Sequence, residues 1–270
     1  MKGMVPVRQS AIILAGRRAA EPEPLAKAHG VSDKCLVPLA GRPLIEHVVE
    51  TLATSPWINR IVVSINDPAL LADLPVCKPL LASERLVAIK AKGIIADSVL
   101  SAARHTGTPV LITTADNVLL THDAVAKLMC ATQGADAAAA FARKEDILAV
   151  HAEGQRRFYT FADGAFSNCN CYWIGNFEAL KAAEIFRSGG QFAKNPIRIA
   201  SSFGFLNLLR FRLGLGTLTE GIDRISSRLG ITFRPVIMDD GALAIDVDNE
   251  RTYRIVSEIL QDRGSDRIAA

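Results

Sequence analysis

Three stretches of this 270-residue chain carry polar residues where chemistry could be done. Asp116 follows the apolar run Pro109 to Ala115 (PVLITTA), and Asp246 and Asp248 follow ALAI in Asp246-Val247-Asp248-Asn249. A carboxylate at a strand end that faces a ligand crevice suits Mg²⁺, a hard cation that takes oxygen ligands and shares them with phosphates. Asp246 alternates with Asp248 and is the less favoured of the three. Leu14-Ala15-Gly16 ends another apolar run and precedes Arg17-Arg18. A glycine there lets backbone N–H groups approach a phosphate or a base, and two arginines would neutralise phosphate oxygens. Each group has a plainer reading. A strand followed by glycine is common, an arginine pair is usually solvated, and Asp116 and Asp248 taken singly read as a turn residue and a helix cap.

Such residues need a scaffold that gathers strand ends. Ser10 to Ala15 has the pattern of a buried strand, Arg60 to Ile65 of a second, Leu86 to Lys90 of a third and Pro109 to Thr114 of a fourth. Between them, Arg42 to Thr54 places Leu44, Val48, Val49 and Leu52 at helical spacing, with Pro43 in the first turn. Further helices are expected over Asp97 to His105, capped by Asp97, and Thr121 to Thr132, capped by Thr121. This alternation predicts parallel βαβ units in a sheet covered on both faces, with ligands outside the carboxyl ends of the strands. The second half is less regular. It predicts a strand over Ala135 to Ala142, a hairpin over Arg157 to Ile174 turning at Asp163-Gly164, a helix over Asn176 to Arg187, a strand over Gly241 to Val247 and a helix over Asn249 to Gln261. With neither repeat nor linker, the reading is one domain over 1–270 with a lobe around 150–240.

The stretch Lys34 to Val48 (KCLVPLAGRPLIEHV) holds a lysine, an apolar run and a Gly-Arg-Pro turn that opens a helix. Together with LAGRR it resembles the sugar-phosphate and cofactor nucleotidyltransferases, and within them the molybdopterin guanylyltransferase-like branch of the GT-A fold. Arg17 stands for the second glycine of the usual pair, and Cys35 for the proline after the lysine. The resemblance implies an α/β, Rossmann-like, mixed and mostly parallel sheet with helices on both faces, plus a smaller helical and hairpin lobe on the acceptor side. It implies Mg²⁺-dependent transfer of a nucleoside monophosphate from an NTP to a phosphorylated small molecule, with release of pyrophosphate. Carried over residue by residue, Arg17 or Arg18 would stabilise the leaving pyrophosphate and Lys34 would contact the phosphates near the scissile bond. Leu14, Ala15 and Gly16 would line the nucleotide, with Asp97 or Ser98 at the base, although capping is the simpler reading of that pair. Asn168 and Asn170 would touch the acceptor, and Asp116 and Asp248 would hold the metal. The base and the acceptor stay open: sugar phosphates, polyol phosphates, molybdenum cofactor and lipid-head precursors all fit. Two rivals are a GT-A glycosyltransferase, for which Asp246-Val247-Asp248 offers a D-x-D, and a non-catalytic nucleotide-binding protein.

Composition narrows the rest. Hydrophobic residues are 49% and charged residues 22%, a globular balance that excludes disorder, and a net charge of +3 is too weak to point to nucleic acid. No apolar run is long enough to span a bilayer or serve as a signal segment, so a cytoplasmic protein is expected. The five cysteines at 35, 77, 130, 169 and 171 lack CxxC spacing, and Cys169 and Cys171 are read as packing on one strand face. None of the five histidines has a catalytic setting; His47 and His122 are read as helix residues. Phe192 to Leu218 is apolar and dotted with basic residues. Burial in the lobe or a homodimer is favoured there over contact with a membrane surface.

Overall fold

The computed structural model describes residues 7–17, 21–180 and 216–269, with side chains as far as Arg263. Its strands are β1 (Gln9–Leu14), β2 (Pro38–Leu39), β3 (Arg42–Pro43), β4 (Ile58–Ile65), β5 (Leu86–Lys90), β6 (Val110–Thr114), β7 (Ala137–Arg143), β8 (Tyr159–Phe161), β9 (Gly164–Ile174) and β10 (Phe233–Met238). Its helices are α1 (Pro24–Ala28), α2 (Leu44–Thr54), α3 (Cys77–Ala82), α4 (Ile95–Thr106), α5 (His122–Cys130), α6 (Lys144–Val150), α7 (Leu218–Leu229) and α8 (Glu250–Ala269). The main sheet runs β10-β7-β9-β6-β1-β4-β5, with β8 paired to β9. All neighbours are parallel except β9, which is antiparallel to β6, β7 and β8.

Residue alternation on β1 shows why both faces are covered. Ala11 and Ile13 enter one core with residues of α2, α5 and α8, while Ile12 enters another with Val99, Ala102 and Ala103 of α4. The chain leaves β1 toward β4 and β5, then returns to β6 on the other side. That reversal opens a crevice at the strand ends, where Leu14 pairs with Thr114.

Several expectations need correction. The apolar run after Lys34, read as β-type, is so only in part: Lys34–Leu36 is a 3-10 turn, and Pro38–Leu39, as β2, pairs with β3 in a hairpin through Ala40 and Gly41. Both turn residues have positive φ, 48° and 81°, which explains the glycine in LAGRP. Pro43 is the residue before α2 rather than in its first turn. The cap of α4 is Ile94, and Asp97 lies inside the first turn. Thr121 does cap α5, accepting from the Ala124 N–H at 3.2 Å. The stretch Gly241 to Val247 is not a strand. Gly241–Ala244 is a 3-10 turn, begun when Asp240 Oδ1 accepts from the Ala242 N–H at 2.9 Å. Gly241 through Ile245 are all buried, so their apolarity carries no strand period. The helix expected over Asn176 to Arg187 is described only to Leu180, and the apolar basic stretch from Phe192 lies outside the described residues up to 215. Among the described residues no helix is long and apolar enough to cross a membrane.

Candidate active site

The site grows from the ends of β1 and β6. The Ala15 N–H donates to the Ser64 carbonyl at 2.8 Å and the Ala115 N–H to the Leu14 carbonyl at 3.0 Å, so the ladders run to the last residue before each functional loop. Gly16 is required by packing: a Cβ there would lie 2.7 Å from that of Ala91. The Arg17 N–H then donates to Asn66 Oδ1 at 2.6 Å. Its guanidinium donates to the Ser32 carbonyl at 2.9 Å and lies 3.5 Å from Asp33. Arg17 thus pins the loop that precedes Lys34. Leu14, Gly16, Arg17 and Ser98 line one small cavity, which Ala15 and Asp97 do not line. Ser98 Oγ meanwhile accepts from the Lys92 N–H at 2.9 Å, closing the loop ahead of α4. Arg18 lies outside the described residues.

Asp116 is joined by the late loop. The Val247 N–H donates to the Asp116 carbonyl at 3.1 Å, which carries Asp246 and Asp248 to the end of β6. Asn249 does the capping expected of Asp248: its Oδ1 accepts from Arg251 and Thr252 N–H groups at 3.1 and 3.2 Å. The Asp248 carboxylate is left for the site. Lys34 Nζ bridges the pair, 2.5 Å from Asp116 Oδ2 and 2.9 Å from Asp248 Oδ1, with Glu23 at 4.0 Å. Burial opposes both charges of the Lys34–Asp116 pair, yet their contact wins: Asp116 is held below the usual carboxylate range and Lys34 above the usual lysine value. Asp246 behaves otherwise. Burial, then the charges of Asp116 and Asp248, push its carboxyl well above the usual range.

Asn168 and Asn170 come to the same place. Asn170, with φ 46°, sits where β9 slips register against β7, and this bulge turns its Nδ2 to donate to Asp246 Oδ2 at 2.6 Å. Asn168 Oδ1 is spent locally, accepting from the Asn170 N–H and the Tyr172 hydroxyl. Sequence reasoning missed Asn117. It is fully buried and donates to Thr113 Oγ1 and the Cys169 carbonyl, tying β6 to β9 behind the carboxylates. It also missed Arg156 and Arg157, ahead of β8, and Arg251, in the first turn of α8, which line a cleft with Asp246.

The donor set suits a divalent cation. Asp116 Oδ1 and Asp246 Oδ1 are buried without hydrogen-bond partners, and a lysine ammonium already spans Asp116 and Asp248. Among the described residues no group of three or more His, Cys, Asp or Glu side chains could hold a metal unaided. Mg²⁺ sites in general use one or two carboxylates and complete the shell with water and substrate phosphates.

A family model for the MobA-like NTP transferase domain matches residues 11–169, from β1 to the middle of β9. The chain belongs to the MobA-like NTP transferase family. That match spans Gly16, Lys34 and Asp116 and stops short of Asp248. A hypothetical transferase from Thermus thermophilus superposes with a TM-score of 0.75 at 27% identity, over 92% of this chain and 100% of that one. CMP:2-keto-3-deoxy-manno-octonic acid synthetase, complexed with CTP, gives 0.58 at 12% identity over 95% and 99% of the two chains. The 4-diphosphocytidyl-2C-methyl-D-erythritol synthase of Anaerococcus prevotii gives 0.57 at 11% over 94% and 98%. The last two likenesses concern the fold alone. No curated protein matches the chain.

Proposed function

We propose that this MobA-like NTP transferase moves a nucleoside monophosphate from an NTP to the phosphate of a small-molecule acceptor in a Mg²⁺-dependent reaction that releases pyrophosphate. The observation that carries the reading is the Lys34 ammonium seated between Asp116 and Asp248 at the mouth of the β1–β6 crevice. An acceptor phosphate oxygen bonds to the α-phosphorus, the bond from that phosphorus to the bridging oxygen breaks, and pyrophosphate leaves with the electron pair. The nucleophile is already a dianion, so no residue has to take a proton. The work of the protein is positioning and charge neutralisation.

Gly16 lets the β1 loop lie close to the sheet, and Arg17 lines the small cavity at the strand ends beside which the nucleotide would lie. Lys34 would turn from the carboxylates to the phosphates when the nucleotide arrives. Asp116 and Asp248 would hold Mg²⁺, which supplies Lewis-acid neutralisation of phosphate charge. Asn170 keeps Asp246 oriented beside them.

The test is a melting-temperature screen of CTP, GTP, UTP and ATP with and without Mg²⁺, followed by pyrophosphate release over a panel of phosphorylated sugars and polyols. One NTP stabilises the chain only with Mg²⁺, and one acceptor class releases pyrophosphate. Stabilisation by an NTP without turnover on any phosphorylated acceptor refutes the reading.

A further inference from the structure

A cleft of ≈ 500 Å³ beside the carboxylates carries arginines that have no part in the mechanism above. That volume is in the range of small-molecule sites. Asp246 and Asp248 line it, and so do Gln155, Arg156, Arg157 and Arg251. Asp248 also belongs to the Lys34 bridge, so the cleft opens onto the reacting centre.

The loop bearing the arginines is built rather than loose. Gln155 Nε2 donates to the Ala244 carbonyl at 3.4 Å, while its Oε1 accepts from the Arg156 and Arg157 N–H groups at 2.9 and 3.3 Å. Gly154 packs so closely that a Cβ would lie 2.7 Å from Ile245 Cδ1. Arg251, half-buried at the start of α8, donates to the Glu153 carbonyl and joins helix to loop. The Arg156–Glu153 pair spans 3.7 Å between mostly exposed side chains, a weak contact that leaves the guanidinium available. Arg157 has no ion-pair partner among the described residues.

Three arginines line this cleft, which also carries Asp246 and Asp248. Their planar forks match phosphate oxygens. Arg17 lines a different and much smaller cavity with Gly16 and Ser98. We infer that Arg156, Arg157 and Arg251 form the subsite for the acceptor's phosphate and present it to the centre at Asp248. The assignment as acceptor rests on the transferase reading above.

The test titrates inorganic phosphate into the full chain at constant ionic strength, with chloride as control, and reads the melting temperature. A second arm measures binding of a fluorescent NTP analogue with Mg²⁺. Wild type shows saturable stabilisation by phosphate. Arg157→Gln and Arg251→Gln each weaken it about tenfold while nucleotide binding stays as it was. Each variant is compared with itself without phosphate, so a change in intrinsic stability cancels. Arg251→Lys, which keeps the charge and loses the fork, recovers part of the affinity. The subsite is overturned if wild type shows no saturable phosphate effect, or if the effect survives both glutamine variants. It is equally overturned if Arg17→Gln alone abolishes the effect, or if gluconate shows Arg157-dependent binding and phosphate does not. Failure of the wild type to bind any NTP, with arginine-dependent phosphate binding intact, removes the transferase reading and leaves an anion site standing.

Discussion

Lys34 lies between Asp116 and Asp248, where the proposed reading puts a divalent cation. Its ammonium neutralises Asp116 and Asp248 at the cost of its own burial. Lys34→Met keeps the aliphatic stem and removes the charge, leaving Asp116 buried and unpaired. We expect a loss of about 3 kcal/mol of metal-free stability, because breaking a buried pair on one side strands the other charge. Millimolar Mg²⁺ restores much of that loss in Lys34→Met and does little for wild type. Turnover falls by ~10²-fold, since a contact to a developing charge is lost. Denaturant titrations with and without Mg²⁺ check the first part; equal stability of the two proteins refutes it. Of these residues, only Asp116 follows a strand that the pattern predicts; Lys34 rests on the family resemblance, and Asp248 on a stretch with the pattern of a strand that is a 3-10 turn. Their mutual contact was not legible, since Lys34 and Asp248 are brought together by the Val247–Asp116 bond, which no local pattern encodes. The cleft arginines carried no signal for the same reason: Arg157 and Arg251 meet only through the Glu153–Gln155 loop.

Elements decide how firmly those residues are held. The β2–β3 hairpin is fastened to α2 by His47, whose Nε2 bonds the Leu39 carbonyl at 2.9 Å while its Nδ1 accepts from Arg42 at 3.2 Å. Burial and the Arg42 charge push its pKa below 6.5, against the pull of Leu39, so the folded state keeps it neutral. The unfolded chain binds the proton first as pH falls. This contribution is therefore present above pH ~6.5 and is lost progressively toward the lower folded value. Stability measured from pH 7.5 to 5 falls less steeply in His47→Gln than in wild type, and parallel curves refute the assignment. A second element is the 3-10 turn that delivers Asp246 and Asp248. At Gly241 a Cβ would lie 2.3 Å from the Asp146 carbonyl carbon and oxygen, so Gly241→Ala pushes this turn off α6. A loss of about 3 kcal/mol follows from overpacking against backbone, together with most of the turnover. Wild-type unfolding midpoints in that variant overturn the account. Strands β1, β5 and β6 and the hairpin at Gly164 were legible from their periods and turns. The 3-10 turns were not, because a run buried all round, such as Gly241 to Ile245, looks alike in either backbone state.

Across the whole molecule, the proposed metal is expected to serve catalysis and not stability. Treatment of wild type with EDTA leaves the melting temperature unchanged, while it abolishes stabilisation by an NTP. A drop beyond ~3 °C, about 1 kcal/mol for a chain of this size, contradicts that division. The parallel half of the sheet was foreseeable from strand–helix alternation; the place of β9 was not, because antiparallel insertion is set by partners far along the chain. That insertion also shapes how the protein is born. While the ribosome is still making the second half, β5, β4, β1 and β6 already have one another, but β7 pairs only with β9 and β10, which emerge later. Until β9 is released, the nascent chain carries an open β6 edge whose free N–H and C=O groups can template another chain. A translational pause before β9 has left the ribosome therefore exposes a sticky stub, and slow codons are safest well beyond Ile174, once β9 is free to seal β6.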